Sequence, residues 1–367
     1  MNKIGIIGAG KLGLCFALNL EKAGFEIYAI DVSEKYVELL NTKNFISSEP
    51  GVNEMLAETS LLKATTDIGI IFKENIEDIF IMVATPSLAD GSYNHTQVEK
   101  VTDELLTYGK QPNIIHLYIG CTTMPGYCDK LTEKMQPFNY TVSYNPEFIA
   151  QGNIIHDQQF PDQILIGEAN PEAGDRLSSI YNKMVKNKPV FCRMDRLSAE
   201  IAKLATNCFL TTKISFANSI GDLAIQAGAD YEKILAAVGS DTRIGSKYLN
   251  YGFGFGGPCF PRDNRALGVF AKSQNCDLKI SEATDEINKM HLGFQLNHYL
   301  KKYKPDEEIY FDYISYKKGS LIIEESQQLA LAVALAKSGR KVKIADRKEV
   351  ISEVARLYPG LFEFIKE

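Results

Sequence analysis

No stretch of this chain is long and apolar enough to suggest a membrane span. The nearest approach to the ~20 residues that such a span requires is the short segment Leu329–Ala336. Basic runs are missing as well. The net charge is only −6 and the lysines and arginines are dispersed, which leaves no electrostatic footprint for nucleic acid or an anionic membrane surface and points to a small-molecule partner. The cysteines, at positions 15, 121, 128, 192, 208, 259 and 276, are odd in number and include no Cys-x-x-Cys pair. That argues against a disulfide framework and a structural zinc site, so no metal is expected. Most of these thiols are expected to be buried as small hydrophobes. The opening Met1-Asn2-Lys3-Ile4-Gly5-Ile6-Ile7-Gly8 lacks a secretory cleavage site and leads directly into a strand-like run, so a cytoplasmic location is expected.

A chain of 367 residues with 45% hydrophobic content exceeds one ordinary core, and two or three domains are expected. Strand-like runs at Lys3–Ile7, Ile27–Ile30, Ile79–Ala84, Asn113–Tyr118, Thr141–Tyr144 and Gln163–Ile166 alternate with amphipathic segments. This is the pattern of an α/β fold, a doubly wound parallel sheet with helices on both faces. A long helical stretch then runs from a capping Asp195 to about Ala227, with Gly228 as its stop. Near residue 306 a smaller α/β segment begins, with strands Glu308–Tyr313 and Lys341–Ala345 around a helix Ser326–Ser338. It is expected to be short, because the chain ends soon after its second strand. The boundaries read from these changes give a dinucleotide-binding domain over 1–195, a central helical domain over 196–300 and a C-terminal α/β domain over 301–367. The long helix suggests a homodimer contact.

Gly8-Ala9-Gly10-Lys11-Leu12-Gly13 follows the first strand and opens a helix, and Asp31 closes the next strand. In the dinucleotide-binding arrangement the first glycine permits the tight turn, the second lets backbone approach the pyrophosphate, and the third lets helix and strand pack closely. Asp31 would accept from the adenosine ribose and would repel a 2′-phosphate, which favours NAD over NADP. Further on, Gly254-Phe255-Gly256-Gly257-Pro258-Cys259-Phe260-Pro261-Arg262-Asp263 sets a cysteine after a glycine loop able to wrap a ligand, with an acid four residues later. The plainer reading of a lone cysteine is an inert buried thiol.

With these segments in view, the sequence resembles the UDP-glucose/GDP-mannose dehydrogenase family over nearly its whole length. The matching segments, in order, are the glycine fingerprint at 8–13, Thr85-Pro86, Cys121-Thr122-Thr123-Met124-Pro125-Gly126, Asn145-Pro146-Glu147-Phe148, the Glu200/Lys203/Asn207 helix, Asp241-Thr242-Arg243-Ile244-Gly245 and the Cys259 loop. The resemblance implies an NAD-dependent four-electron oxidation of a nucleotide sugar to a uronate that supplies polysaccharide biosynthesis, with UDP-glucose the favoured substrate. It implies Cys259 as the nucleophile that carries a thiohemiacetal and then a thioester. Lys203 and Asn207, one helical turn apart, would donate to the oxyanion. Asp263 would act as a water-linked acid/base, and Glu147 with Thr122 would activate the hydrolytic water. Thr85, Pro86 and Thr122 would lie along the cofactor. Phe148, Arg243, Tyr248 and Gly256 would line the substrate, with Arg243 suited to phosphate. Without the resemblance, Lys203 would read equally well as an exposed helix lysine paired with Glu200.

The match is imperfect. Gln151 stands where the family usually has Glu, Gln163 where it has Arg, and Arg262 where it has Lys. In Tyr316-Lys317-Lys318-Gly319-Ser320-Leu321-Ile322-Ile323-Glu324-Glu325-Ser326, Glu324 occupies the position of an arginine. Three other readings follow: a dehydrogenase for GDP-mannose or a UDP-acetamido sugar, a diverged protein that binds cofactor but turns over poorly, and a two-electron hydroxyacid or phosphosugar dehydrogenase that would give Cys259 no task.

Overall fold

A computed structural model describes residues 2–365, which form two compact units that divide between Lys203 and Leu204. In the first unit eight strands form one sheet: β1 (Lys3–Ile7), β2 (Glu26–Ile30), β3 (Leu62–Thr65), β4 (Asp78–Ile81), β5 (Ile115–Ile119), β6 (Tyr140–Tyr144), β7 (Gln163–Gly167) and β8 (Val190–Met194). Their order is β3-β2-β1-β4-β5-β6-β7-β8. The central strands β4 and β5 are buried along their whole lengths, as expected of mostly apolar runs covered on both faces, and the charge of buried Asp78 is met by Arg176 Nε at 2.6 Å.

Strand residues alternate between two cores. Ile79, Ile81, Leu117 and Ile119 pack with Val98, Leu105, Leu131 and Met135. Phe80 and Tyr118 pack with Phe16, Leu20, Leu177 and Ile180 from helices Lys11–Lys22 and Pro171–Met184.

From β3 to β6 every neighbouring pair is parallel, whereas β6 and β7 pair antiparallel and β7 and β8 run together. This reversal breaks the expected uniformly parallel sheet. A parallel return needs a helical crossover, but the connection after β6 holds only the short helix Ile154–Gln159. That helix is tied to Lys11–Lys22 through Asn19 Nδ2, which donates to Gln158 Oε1 at 3.0 Å.

The strand order turns back between β1 and β4, which opens a crevice beyond the carboxyl ends of those strands, the place where such sheets bind ligands. The loops that follow β1, β4, β5 and β6 carry Gly8, Thr85, Thr122 and Glu147 to that end of the sheet.

The long helix runs Arg196–Ala227, 32 residues. Asp195 begins it as expected, its Oδ1 accepting from Ser198 N at 2.9 Å, and Gly228 ends it in the left-handed region at φ +72°.

The second unit contains helices Tyr231–Ser240, Phe260–Ser273 and Lys279–Lys302, and a parallel sheet of three strands in the order β11-β10-β9. Those strands are β9 (Glu308–Phe311), β10 (Lys341–Ile344) and β11 (Glu363–Phe364). Ile309, Phe311, Leu331, Leu335, Val342, Ile344, Val350 and Val354 form its core. The sequence reading had two strands here; β11 is the third, too short to show a period.

Candidate active site

The glycine fingerprint forms the turn from β1 into helix Lys11–Lys22, with Gly10 at the N-cap. Gly8 sits at φ +91°, and a β-carbon there would lie 2.7 Å from Met82 O. At Gly13 a β-carbon would collide with Gly8 O. Gly10 is different, because nothing lies within 4 Å of where its β-carbon would be. Two of the three glycines are thus required by packing, and the third leaves open space at a helix start whose first N–H groups have no partner inside the helix. Asp31 follows β2, and its Oδ1 accepts from Ser33 N at 3.1 Å. Tyr36 OH donates to Ala9 O at 2.7 Å and pins the turn, a contact that the sequence did not announce. Lys11 is exposed, with Nζ 3.4 Å from Ser48 Oγ, and Leu12 packs half-buried against the core beneath. Thr85, buried before Pro86, donates to Thr122 O at 2.7 Å and joins the loops after β4 and β5. This cradle fits a dinucleotide pyrophosphate.

Gly10 separates the fold from the cofactor. Gly10→Ala is expected to change stability by no more than about 0.5 kcal/mol and to weaken NAD binding at least about tenfold by blocking backbone approach to the pyrophosphate. Titration calorimetry beside a melting curve checks both; undiminished NAD affinity would count against this placement of the cofactor.

Glu147 follows β6 beside buried Asn145. Tyr181 OH lies 2.8 Å from Asn145 Oδ1 and 3.2 Å from Glu147 Oε1. Lys203 Nζ donates to Glu147 O at 2.7 Å and lies 4.2 Å from the centre of the Phe148 ring. Lost hydration pushes the Glu147 carboxyl up to about 7, against the pull of the Tyr181 hydrogen bond and the Lys203 charge. A carboxyl titrating there can take up and release protons at neutral pH. Lys203 is buried, which removes the reading of an exposed helix lysine. Glu200 has a task of its own: it accepts from Thr123 Oγ1, Gly126 N and Cys128 N at 2.8, 2.6 and 2.9 Å, and so caps helix Tyr127–Met135.

In the second unit Cys259 is exposed and stands at the N-cap of helix Phe260–Ser273, where the helix dipole favours negative charge. Of the other cysteines, 15, 121, 128 and 208 are buried, and desolvation pushes Cys15 and Cys121 up to about 12. Asn207 Nδ2 donates to Asp263 Oδ2 at 2.6 Å, with both residues buried.

The loop before Cys259 is firmly held. Asn288 accepts from Phe255 N and donates to Phe255 O, each at 2.9 Å. Gly252 N donates to Asn218 Oδ1 at 3.0 Å. A β-carbon on Gly256 would strike Glu325 O, and one on Gly257 would strike the Tyr316 ring. Close packing within this unit therefore accounts for these glycines, including Gly256.

Arg243 is exposed and ion-paired with Asp241 at 2.6 Å. Tyr248 is exposed at φ +63°, edge-on to Phe260 at 6.2 Å. The Glu324 side chain is exposed, while its carbonyl accepts from Gly257 N at 3.0 Å. Neighbouring Glu325 forms a bidentate pair with Arg265 at 2.5 and 2.9 Å, which sequence reasoning missed.

A glycine turn at the switch point of a doubly wound sheet, with an acid at the end of the next strand, defines a dinucleotide-binding protein suited to NAD. Comparison with known proteins then identifies which kind. Models of the UDP-glucose/GDP-mannose dehydrogenase family match its NAD-binding domain over residues 2–185 and its central domain over 197–290. The UDP-glucose 6-dehydrogenase of Rickettsia bellii is 31% identical over 351 residues, 94% of this chain and 80% of that one. A UDP-glucose dehydrogenase from Pyrobaculum islandicum superimposes with a TM-score of 0.89 at 26% identity, covering 100% of this chain and 86% of that one. A GDP-mannose dehydrogenase from Pseudomonas aeruginosa, solved as a ternary complex, aligns with a TM-score of 0.59 at 28% identity over 97% of this chain and 83% of that one. The chain belongs to the UDP-glucose/GDP-mannose dehydrogenase family and is an NAD-dependent nucleotide-sugar dehydrogenase. Among the described residues, no helix is long and apolar enough to cross a membrane.

Proposed function

We propose that this enzyme oxidises UDP-glucose to UDP-glucuronate through a covalent thioester on Cys259. The observation that carries the reading is the exposed Cys259 thiol at a helix start, one turn before a buried Asp263 that Asn207 holds. When bound, NAD supplies a hydride acceptor, once for each of the two oxidations. The sugar's primary alcohol loses a hydride and a proton to become an aldehyde. The Cys259 sulfur adds to that carbon, and the new alkoxide takes a proton to give a thiohemiacetal. Loss of the second hydride and of the hydroxyl proton leaves the thioester. Lys203 and Asn207 donate to the oxygen that becomes negative in the addition steps. In hydrolysis water forms the new C–O bond and gives one proton to Glu147, while the C–S electron pair returns to sulfur. The uronate then leaves as a carboxylate, the second proton of the water passing to the Cys259 thiolate.

Asp263 serves as the acid/base beside the cysteine and Thr122 supports the hydrolytic water. Thr85 and Pro86 flank the cofactor, while Phe148, Arg243, Tyr248 and Gly256 face the sugar nucleotide. In this reading residues 1–195 bind the cofactor, 196–300 carry the cysteine and 301–367 contact the nucleotide. The experiment is direct: NAD and UDP-glucose are mixed with the protein, NADH is followed by absorbance, and the uronate is quantified by mass spectrometry.

The exposed carboxylate of Glu324, where the resemblance expects arginine, favours a second reading in which the nucleotide sugar is a different one or turnover is slow. A panel with GDP-mannose and UDP-acetamido sugars separates these.

We also propose a homodimer acting in the cytoplasm, a setting that suits seven free cysteines. On the long helix Phe209, Phe216 and Leu223 recur every seventh residue and are 64%, 47% and 62% exposed, an apolar stripe that a partner helix would cover. The double variant Phe209→Glu, Phe216→Glu is expected to sediment as a monomer under conditions where the wild type sediments as a dimer. A wild-type monomer at micromolar concentration would overturn the assignment.

A further inference from the structure

The hydrogen bonds around Glu147 form a chain with a defined polarity. Asn145 Nδ2 donates to Leu165 O at 3.0 Å, which fixes the amide so that Oδ1 faces Tyr181. Asn145 and Tyr181 are only 2% and 4% exposed, so the phenol has little access to solvent as an alternative partner. Its one hydrogen is claimed by two acceptors, Asn145 Oδ1 at 2.8 Å and Glu147 Oε1 at 3.2 Å. The phenol itself stays neutral, because burial and the nearby carboxyl push its ionisation well above the ordinary range.

We propose that Tyr181 is a positioning residue for the hydrolytic step, a hydroxyl that swings between Asn145 and Glu147 as Glu147 loses and gains its proton. With Glu147 ionised, the hydroxyl turns to the carboxylate in a charge-assisted bond. With Glu147 protonated, the carboxyl donates to the phenol oxygen and the phenol donates to Asn145. Each state of Glu147 is hydrogen-bonded, so neither leaves it isolated from partners. The competing amide weakens the hold of Tyr181 on the ionised form and keeps the carboxyl ready to accept water's proton. The other ionisable groups that face Glu147 are Lys203, whose charge favours the ionised form, and the Cys15 thiol, which burial keeps neutral.

This inference rests on Glu147 as the acid/base of hydrolysis, and the test keeps the two apart. Infrared difference titration of the protein, with the Glu147 signal identified by its loss in Glu147→Gln, reads the proton affinity of the carboxyl without turnover. The pH profile of kcat reads its use. Tyr181→Phe removes the donor and is expected to raise the titration midpoint and the acidic limb of kcat by about one pH unit. Asn145→Leu removes the competing acceptor and is expected to lower both. A midpoint unmoved by Tyr181→Phe, or moved the same way by both variants, overturns the role of Tyr181. If the acidic limb persists in Glu147→Gln, it is the catalytic reading of Glu147 that falls, while the infrared shifts still judge the coupling. Should Tyr181→Phe fail to fold, Asn145→Leu decides alone, and an unmoved or raised midpoint sinks the proposal.

Discussion

Replacing Cys259 by serine is expected to abolish uronate formation, with kcat for UDP-glucose oxidation falling by at least about 10³-fold. The sulfur has two tasks that oxygen performs badly. It must attack the aldehyde at neutral pH, where a serine hydroxyl is un-ionised, and it must leave from an acyl carbon when water attacks. Cys259 is exposed at the N-cap of its helix, where serine costs little packing and is itself a favoured residue. The variant should therefore melt within about 0.5 kcal/mol of the wild type. Absorbance of NADH, uronate quantified by mass spectrometry and a melting curve together check the result. Wild-type turnover by the folded variant would mean that the reaction is a two-electron oxidation in which the thiol has no part.

Replacing Glu147 by glutamine is expected to slow hydrolysis by about 10²- to 10⁴-fold and to trap the acyl group on Cys259. Mixing with NAD and UDP-glucose should then give a burst of NADH followed by a stall, with the thioester visible in the intact mass. The same change should stabilise the protein, and the sign follows from the proton affinity. The carboxyl has an ordinary value of 4.5 and is raised to about 7 in the folded protein, chiefly by lost hydration. Between those values the folded state binds more protons than the unfolded chain, so stability is lost as pH rises through that window, by about 3 kcal/mol at most. Above pH 7 the penalty is fully present in the wild type and missing from the glutamine variant. Below pH 4.5 the two should converge. Urea unfolding at pH 5 and pH 8 measures the difference, and equal stabilities at pH 8 would contradict the burial assigned to this carboxyl.

The central strands were legible because they are mostly apolar: β4 and β5 are covered on both faces, and Asp78 and His116 are the single polar residues in each. The edge strands were not. Leu62–Thr65 and Val190–Met194 are partly exposed, so they lack the continuous apolar run, and Glu363–Phe364 is too short for any period. The reversal at β7 depends on where a short helix docks, which strand periodicity does not encode. In the candidate site, the dinucleotide turn could be read because its spacing is local. Its brace, Tyr36 to Ala9, joins residues 27 positions apart, and the pair of Asn207 and Asp263 spans 56. Neither leaves a local signal. Tyr181 offered one overlooked hint. It lies on the buried face of its helix with Ala173, Leu177, Ile180 and Met184, and a tyrosine there must find a partner for its hydroxyl. Arg243 has a local partner two residues away, its ion pair with Asp241, whereas the exposed Glu324 stands out only against the pattern of the family.

The most direct test of the thioester account is the ratio of NADH to uronate when the purified protein turns over UDP-glucose, with Cys259→Ser beside it. The account predicts two NADH for every UDP-glucuronate, and no uronate from the variant. One NADH per molecule of sugar oxidised, or uronate still formed without the thiol, would contradict it.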